Sequence, residues 1–359
     1  MKLSDSNYQI RVATGVQKFH DAGYFGERVI AASGETWHLD EFNPDGLCLN
    51  PCNYDSQTDH AKITAKTFFE VAPKARLAMF SSSGSFKSGD KPYKSKLMEE
   101  GFPKIAELGI TAMFTSLSSK ASNTRYFKDY EQKMKELPYF CSCFSAGNEG
   151  LNQTNKMNVV DGVYIIGGAS YRGGKWQMEG RSSSDEEEYL VDFVTTWNSN
   201  GNSGTSIAAP WFCGMICLVN DFFIDKTGKP LTREKMTQFL IDCCQDIDEK
   251  GFDKCSGHGL PVLPDPKDID IWKYAEKDEG KTNDPDEGNT GEESKPIDPP
   301  IDNPDSPPES ADSWAQEWWI KGYNKTGEDN KRICDGTKPQ NNLSRQELIV
   351  MLGRLGLLD

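Results

Sequence analysis

The sequence predicts an α/β protein whose parallel sheet is flanked by helices, and three observations lead there. Short continuous apolar runs at 76–80 and 162–167 read as strands buried on both faces. Between and after them lie helix-like segments at 129–137 and 231–240, and such alternation is the mark of a parallel sheet. Beyond residue 275 the composition changes abruptly, which limits the globular domain to 1–275.

Taken in order, the run 76–80, Arg-Leu-Ala-Met-Phe, and the run 162–167, Gly-Val-Tyr-Ile-Ile-Gly, have the length of strands. Pro210 stands near the start of an apolar run at 211–223 that reads as a buried helix. Thr232 serves as N-cap of the next helix, although Lys235 leaves its capping box incomplete. Residues 276–312 carry Pro-Ile-Asp-Pro-Pro-Ile-Asp-Asn-Pro-Asp-Ser-Pro-Pro and almost no large apolar side chains, so they read as a disordered linker. Residues 313–359 regain aromatics (Trp314, Trp318, Trp319) and helical periodicity, with Ser344 and Glu347 at capping-box spacing, and read as a small helical C-terminal unit.

Charge and composition exclude several classes of function. With 55 acids against 40 bases the formal net charge is −15, which repels nucleic acid and anionic lipid. No nucleic-acid or membrane partner is expected. No stretch approaches roughly 18 continuous apolar residues, and the N-terminus shows no apolar signal region. A cytoplasmic location is the default, with release or cell-wall association by another route left open. The ten cysteines lack the regular spacing of a disulfide framework, and Cys243 and Cys244 are adjacent, so reduced thiols are expected. Cys48 and Cys52 have no companion pair at metal-ligand spacing, and no metal site is assigned.

A serine hydroxyl attacks only when a base takes its proton and the resulting oxyanion is stabilised. Ser206, set among small residues ahead of the apolar run, suits a serine at a helix N-terminus, where the helix dipole favours negative charge. By composition alone the same segment fits an ordinary loop entering a helix. Asn148 follows a strand-like run in a Gly-Asn step that on its own reads as a turn. The histidines are His20, His38, His60 and His258.

The run Asn202-Ser203-Gly204-Thr205-Ser206-Ile207-Ala208-Ala209-Pro210 resembles the serine motif of subtilisin-like proteases. Phe144-Ser145-Ala146-Gly147-Asn148-Glu149-Gly150 resembles their oxyanion-hole motif. The stretch from His60 through Val71-Ala72-Pro73 is similar to their histidine helix, but Ala61 and Lys62 stand where that family has Gly and Thr. The resemblance spans roughly residues 15 to 270 and implies a serine endopeptidase acting on protein or peptide substrates. In that reading Ser206 is the nucleophile, His60 the base and Asn148 an oxyanion donor. An ungapped alignment from His20 brings Glu35 to the acid position; Asp40 is the alternative and Asp59 a remote third. The order acid, histidine, serine agrees with the family.

Ser116, Leu117 and Ser118 resemble the strand lining the specificity pocket, 182–184 the loop before the serine region, and His258 reads as structural. The resemblance implies no required cofactor and leaves structural calcium open. The rival reading is a binding or scaffold protein that kept the fold and lost the chemistry. The C-terminal unit resembles a single S-layer-homology repeat, which implies cell wall or another protein as its partner.

Overall fold

A computed structural model of the chain describes residues 3–55, 57–81, 96–116, 124–151, 160, 162–185 and 190–275. The chain divides into two units, Met1–Lys281 and Thr282–Asp359, and every described residue belongs to the first. The linker expected at 276–312 and the helical unit at 313–359 lie outside the described residues.

The helices and strands are α1 (Tyr8–Ala13), α2 (Val16–Asp21), β1 (Ile30–Ser33), β2 (Cys48–Leu49), α3 (Asp59–Val71), β3 (Arg76–Met79), α4 (Phe102–Glu107), β4 (Ala112–Thr115), α5 (Thr124–Glu136) and β5 (Cys141–Ser145). They continue with β6 (Val163–Arg172), β7 (Lys175–Met178), β8 (Phe193–Thr196), β9 (Asn198–Ser199), β10 (Asn202–Ser203), α6 (Thr205–Thr227), α7 (Arg233–Asp242), β11 (Cys244–Gln245), β12 (Leu260–Pro261) and α8 (Ile271–Tyr274).

The central sheet runs β2-β3-β1-β4-β5-β6, and β6 also pairs with β7 and β8. All of these pairings are parallel except the β6–β7 hairpin. The expected α/β architecture is therefore the observed one. Side chains alternate across the sheet and build two cores. Ala31, Leu77, Phe114, Cys143 and Tyr164 point to the face covered by α3 and α6, while Ala32, Ala78, Met113 and Ile165 point to that covered by α4 and α5.

Helix α3 starts at Thr58, whose side chain accepts from the Ala61 N–H, and stops before Pro73 disfavours a further helical residue. Its inner side presents Ala61, Ala65, Phe68 and Phe69. The 23-residue α6 lies against it, with Gly214 over Val71 in so close an approach that a Cβ would stand 2.6 Å from Val71 Cβ. By length and composition α6 could cross a bilayer, which the count of continuous apolar residues had not suggested. Nearly all of it is buried inside the protein, as in a core helix apolar all round.

A charged group interrupts the buried stretch of that helix. Asp221 is fully buried and accepts hydrogen bonds from the N–H groups of Phe25, Gly26 and Arg28 and from the Arg28 guanidinium. A carboxylate satisfied by so many donors is stable inside a protein. It fastens the chain segment that enters β1.

Among the described residues nine cysteines are free thiols. One group of potential metal ligands comes together among the described residues, Asp248, Asp253 and Cys255, and it excludes Cys48 and Cys52. Its Asp253 carboxylate already accepts from Cys255 N–H, Ser256 N–H and Ser256 Oγ, which closes the loop on itself.

Candidate active site

Open parallel sheets bind ligands beyond the carboxyl ends of their strands, and the residues singled out in the sequence converge there. Glu35 follows β1, Ser116 follows β4 and Asn148 follows β5, three neighbouring strands. The β1–β4 register pairs Ser33 with Phe114. The Gly34 N–H, one residue past β1, still donates to the Phe114 carbonyl, so the two strand ends stay side by side where Glu35 and Ser116 leave them.

His60 is the second residue of α3, and its Nδ1 lies 2.7 Å from Glu35 Oε2. The Glu35 residue is 6 % exposed, and its other oxygen is buried with no partner among the described residues. The bond to this carboxylate raises the His60 pKa above its usual value of 6.5, burial acting against it. The imidazole keeps 42 % of its side-chain surface open. Asp40 is exposed, and Asp59 pairs with Lys62, so Glu35 is the carboxylate on His60. The other histidines do different things. His20 Nε2 bonds the Val71 carbonyl, His38 is exposed, and His258 packs between Phe193 and Phe252.

Ser206 is the second residue of α6, half-buried. Its hydroxyl donates to the Ser116 carbonyl at 3.2 Å, and the Ser116 hydroxyl donates to the Ser206 carbonyl at 3.1 Å. Pro210 explains the second bond. A residue four places on would normally donate its N–H to the Ser206 carbonyl, and proline has none.

The first turn of α6 is tied to Asn148. Asn148 Oδ1 accepts from the Thr205 N–H at 2.8 Å and from Thr205 Oγ1 at 3.1 Å. Thr205 Oγ1 also accepts from the Gly147 N–H and donates to the Gly147 carbonyl. The N–H groups of Ile207 and Ala208 reach the Gly204 carbonyl. The Ser206 N–H is thus the one in that turn with no partner among the described residues. Gly204 itself has φ 131°, where a side chain is strained, and a Cβ would stand 3.2 Å from Asn148 Oδ1.

The motif reading named Asn148 but missed what holds it. Thr205 and Glu149 do so; the Glu149 carboxylate accepts from the Asn148 N–H at 3.0 Å. A hydroxyl and a carboxylate beside the singled-out residues were the available signal. Ser183, in the expected 182–184 loop, accepts from the Glu149 N–H and donates its own N–H to the Gly147 carbonyl. Of the expected specificity strand only Ser116 is seen; Leu117 and Ser118 lie outside the described residues.

Burial pushes the pKa of Cys48 and Cys141 up to about 12 and that of Cys213 well above its ordinary value, which keeps them protonated and inert.

Three proteases are among the solved structures that share this architecture. A lanthipeptide protease is 16% identical with a TM-score of 0.57, covering 72% of this chain and 92% of that one. The prenylagaramide maturation protease PagA is 18% identical with a TM-score of 0.54, covering 69% and 95%. The S41 psychrophilic protease is 14% identical with a TM-score of 0.52, covering 70% and 97%. The chain has the fold of these proteases.

At such identities the likeness establishes the fold alone. No family model matches the chain, and no curated protein matches it. The family assignment drawn from the motifs is corrected accordingly. The similar structures are a lanthipeptide protease, PagA and the S41 protease, none of them described as subtilisin-like, and nothing found supports an S-layer-homology repeat. Short motifs of small residues describe a local turn and helix start, which is too little chain to carry membership of a family.

Proposed function

We propose that the chain is a serine peptidase that hydrolyses peptide bonds through an acyl-enzyme on Ser206. The observation that carries this reading is the part-buried hydrogen bond between Glu35, just past β1, and His60, with Ser206 tied to the end of the neighbouring β4 through Ser116. The likeness in fold to proteases supports it.

Each residue has one task. Ser206 Oγ turns from the Ser116 carbonyl toward His60, which takes its proton as the oxygen bonds the substrate carbonyl carbon. Active-site hydrogen bonds commonly tighten only with substrate present. Glu35 holds the imidazole by Nδ1 and stabilises the imidazolium that forms. The Ser206 N–H and the Asn148 NH2 group donate to the oxyanion, a contribution typically of about 10²–10³ in rate for one such donor. Collapse breaks the C–N bond as His60 protonates the leaving amine. His60 then deprotonates a water that releases the acid and restores Ser206.

The test is labelling of the native chain with a fluorophosphonate, together with digestion of casein. An adduct on Ser206 and cleavage that disappears in Ser206→Ala support the peptidase. A native chain that takes no label and leaves casein whole would favour a scaffold in which the Ser116–Ser206 bonds hold the hydroxyl permanently aside.

A further inference from the structure

Glu35 carries its carboxylate on two methylene groups and holds His60 through one oxygen, Oε2. A carboxylate fastened at a single point swings about its last side-chain torsion, which is broad in glutamate. Its other oxygen, Oε1, is buried and has no hydrogen-bond partner among the described residues. A buried acceptor left unpaired is costly, so a spare donor nearby is drawn to it.

Ser33 has such a donor. It is the last residue of β1 and is fully buried. Its Oγ accepts the Glu35 N–H at 3.2 Å, which places the hydroxyl at the root of the Glu35 side chain. The proton of that hydroxyl has no acceptor among the described residues. A serine hydroxyl offers one O–H donor besides its lone pairs, and an ionised carboxylate oxygen only accepts. A spare donor and a spare acceptor thus belong to residues two apart in the chain, both shut away from water.

We propose that Ser33 is a positioning residue, whose hydroxyl donates to Glu35 Oε1 as the His60 imidazolium forms and fixes the carboxylate so that Oε2 stays on Nδ1. Its effect on turnover rests on the peptidase reading above. The bond is open in the resting structure, where the Ser206 hydroxyl likewise donates to the Ser116 carbonyl. Bonds of an active site commonly close only when the reacting charge is present.

The test compares Ser33→Ala with Ser33→Thr, which restores a hydroxyl, with Ser33→Cys, a weak donor of nearly the size of serine, and with Thr36→Val, which removes the hydroxyl that follows Glu35. The readouts are kcat and KM on one peptide and the His60 pKa, measured by NMR of the imidazole protons in the full-length chain and assigned with His60→Asn. Ser33→Ala is expected to lower kcat roughly tenfold, the scale of one hydrogen bond to a charged group, and to leave KM nearly unchanged. It is also expected to bring the raised His60 pKa down toward 6.5, because a swinging carboxylate holds the Nδ1 proton less firmly. Ser33→Cys is expected to follow Ser33→Ala, and Ser33→Thr and Thr36→Val to stay near the wild type.

An unchanged His60 pKa in Ser33→Ala and Ser33→Cys would overturn the proposal. A rise would overturn it as well, since it would mean that the hydroxyl only eases the charge on the carboxylate. So would a fall in Thr36→Val with none in Ser33→Ala. Circular dichroism of each variant confirms its fold. The pKa is read whether or not the chain cuts peptide. A fall in a chain that takes no fluorophosphonate keeps the contact and removes the peptidase, and an active chain whose His60 ignores Ser33→Ala does the reverse.

Discussion

Ser116 and Ser206 each donate a hydroxyl hydrogen bond to the other's main-chain carbonyl, at 3.1 and 3.2 Å. The pair joins the end of β4 to the head of α6 and compensates the helix for Pro210. Ser116→Ala is therefore expected to cost about 1 kcal/mol, the usual net worth of such a bond. In a Pro210→Ala background the new N–H can serve the Ser206 carbonyl, and the same change is expected to cost less. A double-mutant cycle by urea unfolding checks this. Equal costs in both backgrounds would show that proline is not the reason for the bond.

Glu35→Gln is expected to keep the imidazole in place but to lower turnover by up to about 10⁴, as removal of the orienting carboxylate's charge does in other triads. Asp40→Asn is expected to change little, because Asp40 is exposed and Glu35 already bonds His60. Both are measured on one peptide at one pH. A crippling Asp40→Asn beside a mild Glu35→Gln would transfer the role to Asp40.

The pH profile follows from the same bond. A general base must be neutral, and the Glu35 hydrogen bond raises the His60 pKa above 6.5. The acid limb of kcat/KM is thus expected above pH 6.5 in the wild type and nearer to or below it in Glu35→Gln. Stability runs the other way. A histidine whose folded pKa is raised favours the fold fully below 6.5, and this contribution fades as pH rises through the raised value. The Glu35→Gln chain is expected to lack that fading. Paired profiles of rate and of urea midpoint, differing between the two chains in the same window, are the check.

Asp221→Asn leaves three main-chain N–H groups facing a weaker acceptor at a fully buried site, while the partly exposed Arg28 keeps its pairing with Asp225. A loss of about 2 kcal/mol is expected, the scale for under-satisfied buried donors. Thermal and urea unfolding measure it. A shift no larger than that of an exposed Asp→Asn change would sink the anchoring role.

Much of the scaffold was legible in local pattern. The run 76–80 holds β3, 162–167 opens β6, and Thr232 caps α7 by accepting from the Lys235 N–H. Ends were less so: α5 begins at Thr124, ahead of the segment 129–137. The strand β1, only Ile30–Ser33, is too short for periodicity to detect. Within the site, the position of Ser206 at a helix start followed from small residues ahead of an apolar run. The pairing of Glu35 with His60 needed an alignment, since the two meet only when β1 and α3 pack. The Asp221 anchor was beyond reach, because a charged residue reads as surface in a sequence and its partners, Phe25, Gly26 and Arg28, come from a distant segment.

Helix α6 has work at both ends. Thr205 and Ser206 at its head are joined to the ends of β4 and β5, while Asp221 near its tail fastens the segment leading into the strand that carries Glu35. Partial fraying of this one rod would loosen Glu35, His60 and Ser206 together. The proposed site accordingly has no cheaper way to come apart than the domain has to melt. Amides in α6 and β1 should exchange with deuterium at a common rate set by whole-domain opening, and lost activity on heating should count unfolded molecules, not damaged ones.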